Sequence, residues 1–281
     1  MYYFLKIISI TTKLVPRRLL LKLGKFLGSF VYYVFPIRKK VALKNISIAF
    51  KDRPSEYHIT ILKKTYMHFG IVLMDFLQAP HIKYEHIDKI ADLDFKSKTI
   101  LNSYNGIILM TGHLGSWEMI LPILGSNNFL FSVVTQKQKN TSSDKFFNWA
   151  RLFKNISLIP KGENLNIMKQ TITDGKILGL ASDQNAGSHG IEIPFFGKNV
   201  SMPKGAGIFH SKTNAPILVG FCILLDDLRY HLTIEEVIID DKINVIYNIN
   251  KQFNKMLKKN IIKYPEQYFW FHRRYSRSIY N

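Results

Sequence analysis

Ile107-Ile108-Leu109-Met110-Thr111-Gly112-His113-Leu114-Gly115-Ser116-Trp117-Glu118 is the stretch on which the reading of this chain turns. A short apolar run, the mark of a buried strand, gives way to two glycines and then to a helix start. Within it a histidine and a carboxylate lie five positions apart. On a regular helix five residues turn through about 500°, which points the two side chains apart. They meet only if His113 precedes the helix and Glu118 sits in its first turns, a bend that Gly112 and Gly115 allow. Ser116 fits the N-cap. A histidine on a tight turn, backed by a carboxylate, is the arrangement of a general base acting on a hydroxyl.

The pattern continues outward in alternation. Strands are predicted at 106–110, 131–135, 156–159 and 177–181, and helices between them at 117–124, 142–153 and 164–173. This β-α-β-α order defines an α/β fold with a mostly parallel central sheet flanked by helices. A further helix is predicted at 203–212, opened by proline. Two late strands, 217–225 and 229–237, are separated by Asp226-Asp227 and read as a hairpin near a sheet edge. A last helix is predicted at 243–262. On the N-terminal side, helical patterns cover 41–50 and 59–76, Pro80 stops the second, and a short helix follows at 81–90.

Sites in open α/β sheets gather at the carboxyl ends of strands, where His113 lies. Asp183-Gln184-Asn185-Ala186-Gly187 follows the strand at 177–181, so Asp183 is expected to face the same cleft. Ile193-Pro194-Phe195-Phe196-Gly197-Lys198 reads as a loop packed on an apolar ligand or on core. Arg151 is the only arginine between Arg53 and Arg229, which suggests forked hydrogen bonding to a phosphate or carbonyl oxygen, or an ion pair. The stretch 264–275 is dense in aromatics and arginines. It suits either base stacking or a membrane interface. The single Cys222 lies in an apolar run and reads as a core residue, with no disulfide available within the chain.

The chain has 281 residues, is 47% apolar and carries a net charge of +19. That composition excludes global disorder and fits one domain with an appendage. The charge sits at the two ends. Residues 1–64 hold 14 Lys and Arg against 2 Asp and Glu, residues 242–281 hold 9 against 1, and the middle is near neutral. Such ends suit an anionic partner, nucleic acid or membrane. The N-terminus favours membrane. Residues 1–37 are rich in large apolar side chains, with Lys6, Lys13, Arg17, Arg18, Lys22 and Lys25 spaced among them. The longest uncharged run there, 26–37, has 12 residues, short of the roughly 20 needed to span a bilayer. It reads as an interfacial segment whose cations snorkel to phosphates, and a tilted single span with snorkelling ends is the alternative. No small-residue cleavage site follows, so the segment is expected to stay on the chain.

Taken together, these segments resemble the bacterial lipid A biosynthesis acyltransferase family, of the lauroyl- and myristoyl-transferring kind, within the superfamily that carries a His-x4-Asp/Glu motif. The matching pieces are Thr-Gly-His-Leu-Gly-Ser-Trp-Glu at 111–118, Asp-Gln-Asn-Ala-Gly at 183–187, Pro-Phe-Phe-Gly at 194–197 and Pro-Glu-Gln-Tyr-Phe-Trp-Phe-His-Arg-Arg-Tyr at 265–275. Their order and separation fit across nearly the whole chain. The resemblance implies an O-acyltransferase on the cytoplasmic face of the bacterial inner membrane. It would move a fatty acyl chain from acyl carrier protein, or less often coenzyme A, to a hydroxyl of a lipid A precursor. His113 would be the general base, with Glu118 orienting it and stabilising its imidazolium. Arg151, Asp183, Arg273 and Arg274 would serve substrate, oxyanion or phosphate binding. Trp117 and Phe195 would line the acyl pocket. Residues 1–40 would form a membrane-associating helical segment and 41–281 the α/β acyltransferase domain. No cofactor or metal is implied, the partners are an anionic glycolipid and acyl carrier protein without nucleic acid, and a monomer is expected. The same chemistry on a lysophospholipid, an ornithine lipid or a phosphatidylinositol mannoside stays open. Two departures bear on the acceptor or donor. Thr135-Gln136-Lys137 lacks an arginine usual in the family, and Asn185 stands where the family has a second acid.

Overall fold

A computed structural model describes residues 1–162, 165–239 and 243–280. Four helices come first: α1 (Tyr2–Thr12), α2 (Arg17–Val34), α3 (Lys39–Ala49) and α4 (Ser55–Gln78). An alternating body follows, with β1 (Ala91–Leu93), α5 (Phe95–Asn102), β2 (Ile107–Thr111), α6 (Ile120–Ser126), β3 (Phe131–Thr135) and α7 (Thr141–Ala150). It continues through β4 (Ile156–Pro160), α8 (Leu165–Thr173), β5 (Ile177–Ala181), β6 (Ile191–Phe195), β7 (Lys198–Met202), α9 (Gly205–Thr213), β8 (Ile217–Leu224), β9 (Tyr230–Glu236) and α10 (Val245–Lys263). The expected helix start at Asn164 lies outside the described residues.

Seven strands form one sheet in the order β1-β9-β8-β2-β5-β3-β4. Every neighbouring pair is parallel except β8 and β9, which form the expected hairpin one strand in from the edge. The chain leaves β2, crosses to β3 and β4, and returns to lay β5 directly beside β2, with Thr111 opposite Ala181. The carboxyl ends of β2 and β5 therefore open side by side at the point where the connections change direction. Successive side chains of β2 point to opposite faces. Ile108 and Met110 enter a core with α3, α4, α9 and α10, and Ile107 and Leu109 enter a second core with α5 and α6.

Four short elements are additions to the sequence reading. β1 has only three residues and α5 only eight, too few to show a period. The stretch expected to be a loop at 193–198 is instead the tip of an antiparallel hairpin, β6–β7, turned by Phe196 and Gly197 with Phe195 opposite Lys198.

The N-terminal helices lie on the body. α2 crosses α4 at glycines: a Cβ on Gly24 would sit 2.6 Å from the Gly70 carbonyl oxygen, so the two backbones touch. A buried ion pair latches the start of α2. Arg17 Nε donates to Asp75 Oδ1 at 3.2 Å, and Tyr230 donates to Asp75 Oδ2 at 2.7 Å. The outer surface is different. Of 26 exposed large apolar side chains among the described residues, 14 fall within residues 1–37, including Phe4, Leu14, Phe26 and Phe35. Among the described residues, no single helix is long and apolar enough to cross a membrane. α2 and α3 together have that length and composition but are bent by 102°.

Candidate active site

His113 leaves the end of β2 and is clamped from three directions. Its carbonyl accepts from Phe269 N at 2.8 Å, Gly115 N donates to Gln267 O at 2.9 Å, and Ser116 N donates to Cys222 O at 2.8 Å. Gly115 has φ +66°, and a Cβ there would lie 1.9 Å from the Cys222 oxygen. Only glycine fits this turn. Buried His68 donates its Nε2 hydrogen to Gly115 O at 3.4 Å, and burial holds its pKa down at about 4, so it stays neutral. Ser116 occupies the N-cap position, but its side chain makes no capping bond.

The carboxylate that meets the imidazole is Asp183, from the end of β5. Its Oδ1 lies 2.7 Å from His113 Nδ1, and its Oδ2 accepts from the His113 backbone N–H at 2.9 Å. An ionised carboxylate only accepts, so Nδ1 carries the hydrogen and the neutral ring presents its lone pair at Nε2. The Gln184 side-chain amide lies 3.3 Å from that nitrogen, a long and weak contact. Burial alone would lower the His113 pKa. The charge and hydrogen bond of Asp183 outweigh it, Glu118 adds to them, Arg151 opposes them, and the pKa ends above its ordinary value. Burial likewise pushes Asp183 up, but His113, the backbone N–H and the charge of Arg274 carry it below the usual carboxylate range.

Several expectations are corrected here. Glu118 does not orient His113. Its carboxylate is gripped by the Arg151 fork, with Nε to Oε2 at 2.9 Å and the terminal nitrogen to Oε1 at 2.5 Å, and also accepts from Trp117 Nε1 at 3.2 Å. The turn carries Glu118 past the ring, and its influence on His113 is through charge. Arg151 is accordingly an ion-pair partner rather than an open oxyanion or phosphate group, and burial is outweighed by Glu118 in raising its pKa. Asp183, expected among the anion-binding groups, instead spends both carboxylate oxygens on His113. Arg274 is buried, donates to Ser201 O at 3.3 Å and lies over the Phe195 ring at 5.2 Å. Phe195 is 1% exposed and packs on Phe196, Tyr268 and Tyr275, so it is core and not acyl pocket.

Trp117 lies against the imidazole, with its ring centroid 4.6 Å from that of His113. It opens a wall that sequence reasoning missed: Phe69 and Phe269 each lie 5.9 Å from Trp117, and Phe271 lies 5.4 Å from Phe269. The C-terminal stretch packs into the body rather than forming a separate unit. Tyr268, Trp270 and Tyr275 are buried, Asn45 donates to Trp270 O and His272 O at 2.7 Å, and Phe269 and Phe271 face the site. Cys222 is buried and free, as expected of a core thiol. Among the described residues, no three His, Cys, Asp or Glu side chains are placed to hold a metal ion.

An oriented imidazole at the mouth of a parallel sheet, beside an aromatic wall, is equipped to take a proton from a hydroxyl next to an apolar chain. Residues 1–277 match the family described as bacterial lipid A biosynthesis acyltransferase, and the chain belongs to that family. It is an O-acyltransferase. A lipid A biosynthesis palmitoleoyltransferase of Escherichia coli is 23% identical over 275 residues, covering 93% of this chain and 86% of that one. A lipid A biosynthesis lauroyltransferase of the same organism is 21% identical over 271 residues, with the same coverage. A phosphatidylinositol mannoside acyltransferase of Mycolicibacterium smegmatis is 25% identical over 126 residues, 43% of this chain and 41% of that one.

Proposed function

We propose that this protein transfers a fatty acyl chain from acyl carrier protein to a hydroxyl of a lipid A precursor at the cytoplasmic face of the bacterial inner membrane. The observation that carries the reading is the His113–Asp183 pair beside the aromatic wall, in a chain whose family match is nearly complete. The acceptor hydroxyl displaces the weak Gln184 contact and gives its proton to His113 Nε2 as its oxygen attacks the thioester carbon. The imidazolium is held by Asp183. Collapse of the tetrahedral intermediate breaks the carbon–sulfur bond, and the proton passes from Nε2 to the departing sulfur. Trp117, Phe69, Phe269 and Phe271 seat the chain next to the thioester.

The exposed apolar side chains of 1–37, interleaved with exposed Arg18, Lys22 and Lys25, support attachment to an anionic membrane without a span. On that reading residues 1–40 are the attachment segment and the remainder the catalytic unit. Lys251, Lys255, Lys258 and Lys259 line a groove along α10 floored by Pro194 and Ile262, a surface suited to an acidic carrier protein. The test is a matrix of donors and acceptors with purified protein in detergent: acyl carrier protein or coenzyme A thioester against a tetra-acylated lipid A precursor, a lysophospholipid, an ornithine lipid and a phosphatidylinositol mannoside. One chain added to the lipid A precursor from the carrier protein is expected. Transfer to the other acceptors alone overturns the acceptor assignment while leaving the chemistry, and the Mycolicibacterium relative makes the mannoside the strongest alternative.

A further inference from the structure

A second cavity, of about 520 Å³, opens beside the active site. Three segments build it: Asn185 and Gly187 after β5, Glu192, Asn199 and Ser201 of the β6–β7 hairpin, and Arg273, Tyr275 and Arg277 of the C-terminal stretch. The hairpin divides its faces by strand alternation. Ile193, Phe195, Val200 and Met202 enter the core, whereas Glu192 pairs across the ladder with Ser201 and, with Asn199, faces the cavity. The walls are tied together. Asn185 Nδ2 donates to Tyr275 O at 3.2 Å, Gly187 N donates to Asn185 Oδ1 at 2.8 Å, and Ser201 Oγ donates to Gly187 O at 2.6 Å.

Within this frame the guanidinium groups of Arg273 and Arg277 have no hydrogen-bond or ion-pair partner among the described residues, and Glu192 is the only carboxylate lining the cavity. A chain that elsewhere prefers lysine places two arginine forks here, the geometry that matches phosphate oxygens. Asn199 supplies an amide suited to sugar hydroxyls, while Asn185 and Ser201, engaged in tying the walls, shape the cavity. The position selects which substrate uses it. His113 Nε2, the nitrogen that takes the acceptor proton, faces Gln184, the neighbour of Asn185. The apolar wall meets the imidazole through Trp117 and Phe269, whose ring centroids lie 4.6 and 6.1 Å from its own.

We infer that this cavity is the acceptor head-group site and binds a phosphorylated sugar, with Arg273 and Arg277 on the phosphate. The inference deepens the proposed acyl transfer and rests on it for the word acceptor. Arg273 and Arg277 are exposed at the rim, so Arg273→Gln with Arg277→Gln leaves the core untouched. The test has two arms on the full-length protein. By titration, glucose 1-phosphate binds the wild type at least about tenfold more tightly than glucose, and the double variant loses that difference. In turnover, the variant's acceptor KM rises about 10- to 100-fold for a phosphorylated acceptor and hardly at all for the same lipid after phosphatase treatment. Binding of 4′-phosphopantetheine in preference to glucose 1-phosphate, lost in the variant, would assign the cavity to the donor and overturn the inference. Equal sugar-phosphate binding by wild type and variant would overturn it too. Should no lipid acceptor turn over while the arginine-dependent binding persists, the acyl-transfer assignment fails and the sugar-phosphate site stands.

Discussion

Replacing Asp183 by asparagine keeps the side-chain shape and removes the charge that holds His113, the base of the proposed reaction. In the native site Oδ1 accepts from His113 Nδ1 at 2.7 Å and Oδ2 accepts from the His113 backbone N–H at 2.9 Å. With the amide oxygen kept on the backbone N–H, the new NH2 group faces Nδ1. That nitrogen must then accept, which sends the ring hydrogen to Nε2 and blocks the base. Neutralising the orienting aspartate of a catalytic triad lowers kcat by about 10⁴. Positioned general bases contribute about 10² to 10⁴. Asp183→Asn is therefore expected to lower kcat roughly 10³- to 10⁴-fold, about 4–5 kcal/mol of barrier. The pH profile gives an independent readout. Wild-type kcat/KM is expected to rise with pH as His113 loses its proton, at a pKa lifted above its ordinary value against the pull of burial. Without the carboxylate, the imidazolium loses its main support, and the rising limb moves to lower pH. Initial rates of labelled acyl transfer across pH 5 to 9 measure both. A loss under about tenfold, with the limb unmoved, would refute the reasoning.

Glu118→Ala leaves the His113–Asp183 contact in place and strands the Arg151 guanidinium, so it is expected to lower stability by about 3 kcal/mol, read by denaturant unfolding. Arg17→Ala leaves Asp75 buried without its cation and should destabilise by about 3–5 kcal/mol, with proteolysis exposing α2 first. Gly115→Ala forces a Cβ against the Cys222 carbonyl at positive φ and should lose roughly 3 kcal/mol together with nearly all activity. The pH dependence of Tm carries the sign of the His113–Asp183 pair. His113 is raised, so its contribution is full below about 6.5 and fades as pH climbs through the raised value. Asp183 is lowered, so its contribution is full above about 3.8 and fades as pH falls. The Tm gap between wild type and Asp183→Asn should be widest between those limits and narrow on both sides.

The sheet was legible because its strands are continuous apolar runs between helices with clear periodicity, and the end of β2 announced itself through Gly112, His113 and Gly115. The partner of His113 was harder to read. Glu118 is near in sequence, but the turn that frees it from the helix also carries it to Arg151. Asp183 is 70 positions away and becomes a neighbour only because β5 returns to lie beside β2. That Asp183 faces the cleft could be read from its strand end, while its bond to the imidazole is a fact of register. Aromatic and arginine residues misled for the opposite reason. Phe195 and Arg274 lie in motif-like stretches, yet strand alternation and a local turn bury both. Phe69 gave no signal at all, being one apolar residue in the helical period of α4. It joins the aromatic wall because the C-terminal stretch folds back against it.

The most direct measurement is the mass of the lipid product formed from acyl carrier protein thioester and a tetra-acylated lipid A precursor, with wild type and His113→Ala run side by side. A single added acyl chain in the wild-type reaction, absent from the variant, is the expected result. Undiminished product from the variant would contradict His113 as the base and with it the mechanism drawn from its contact with Asp183.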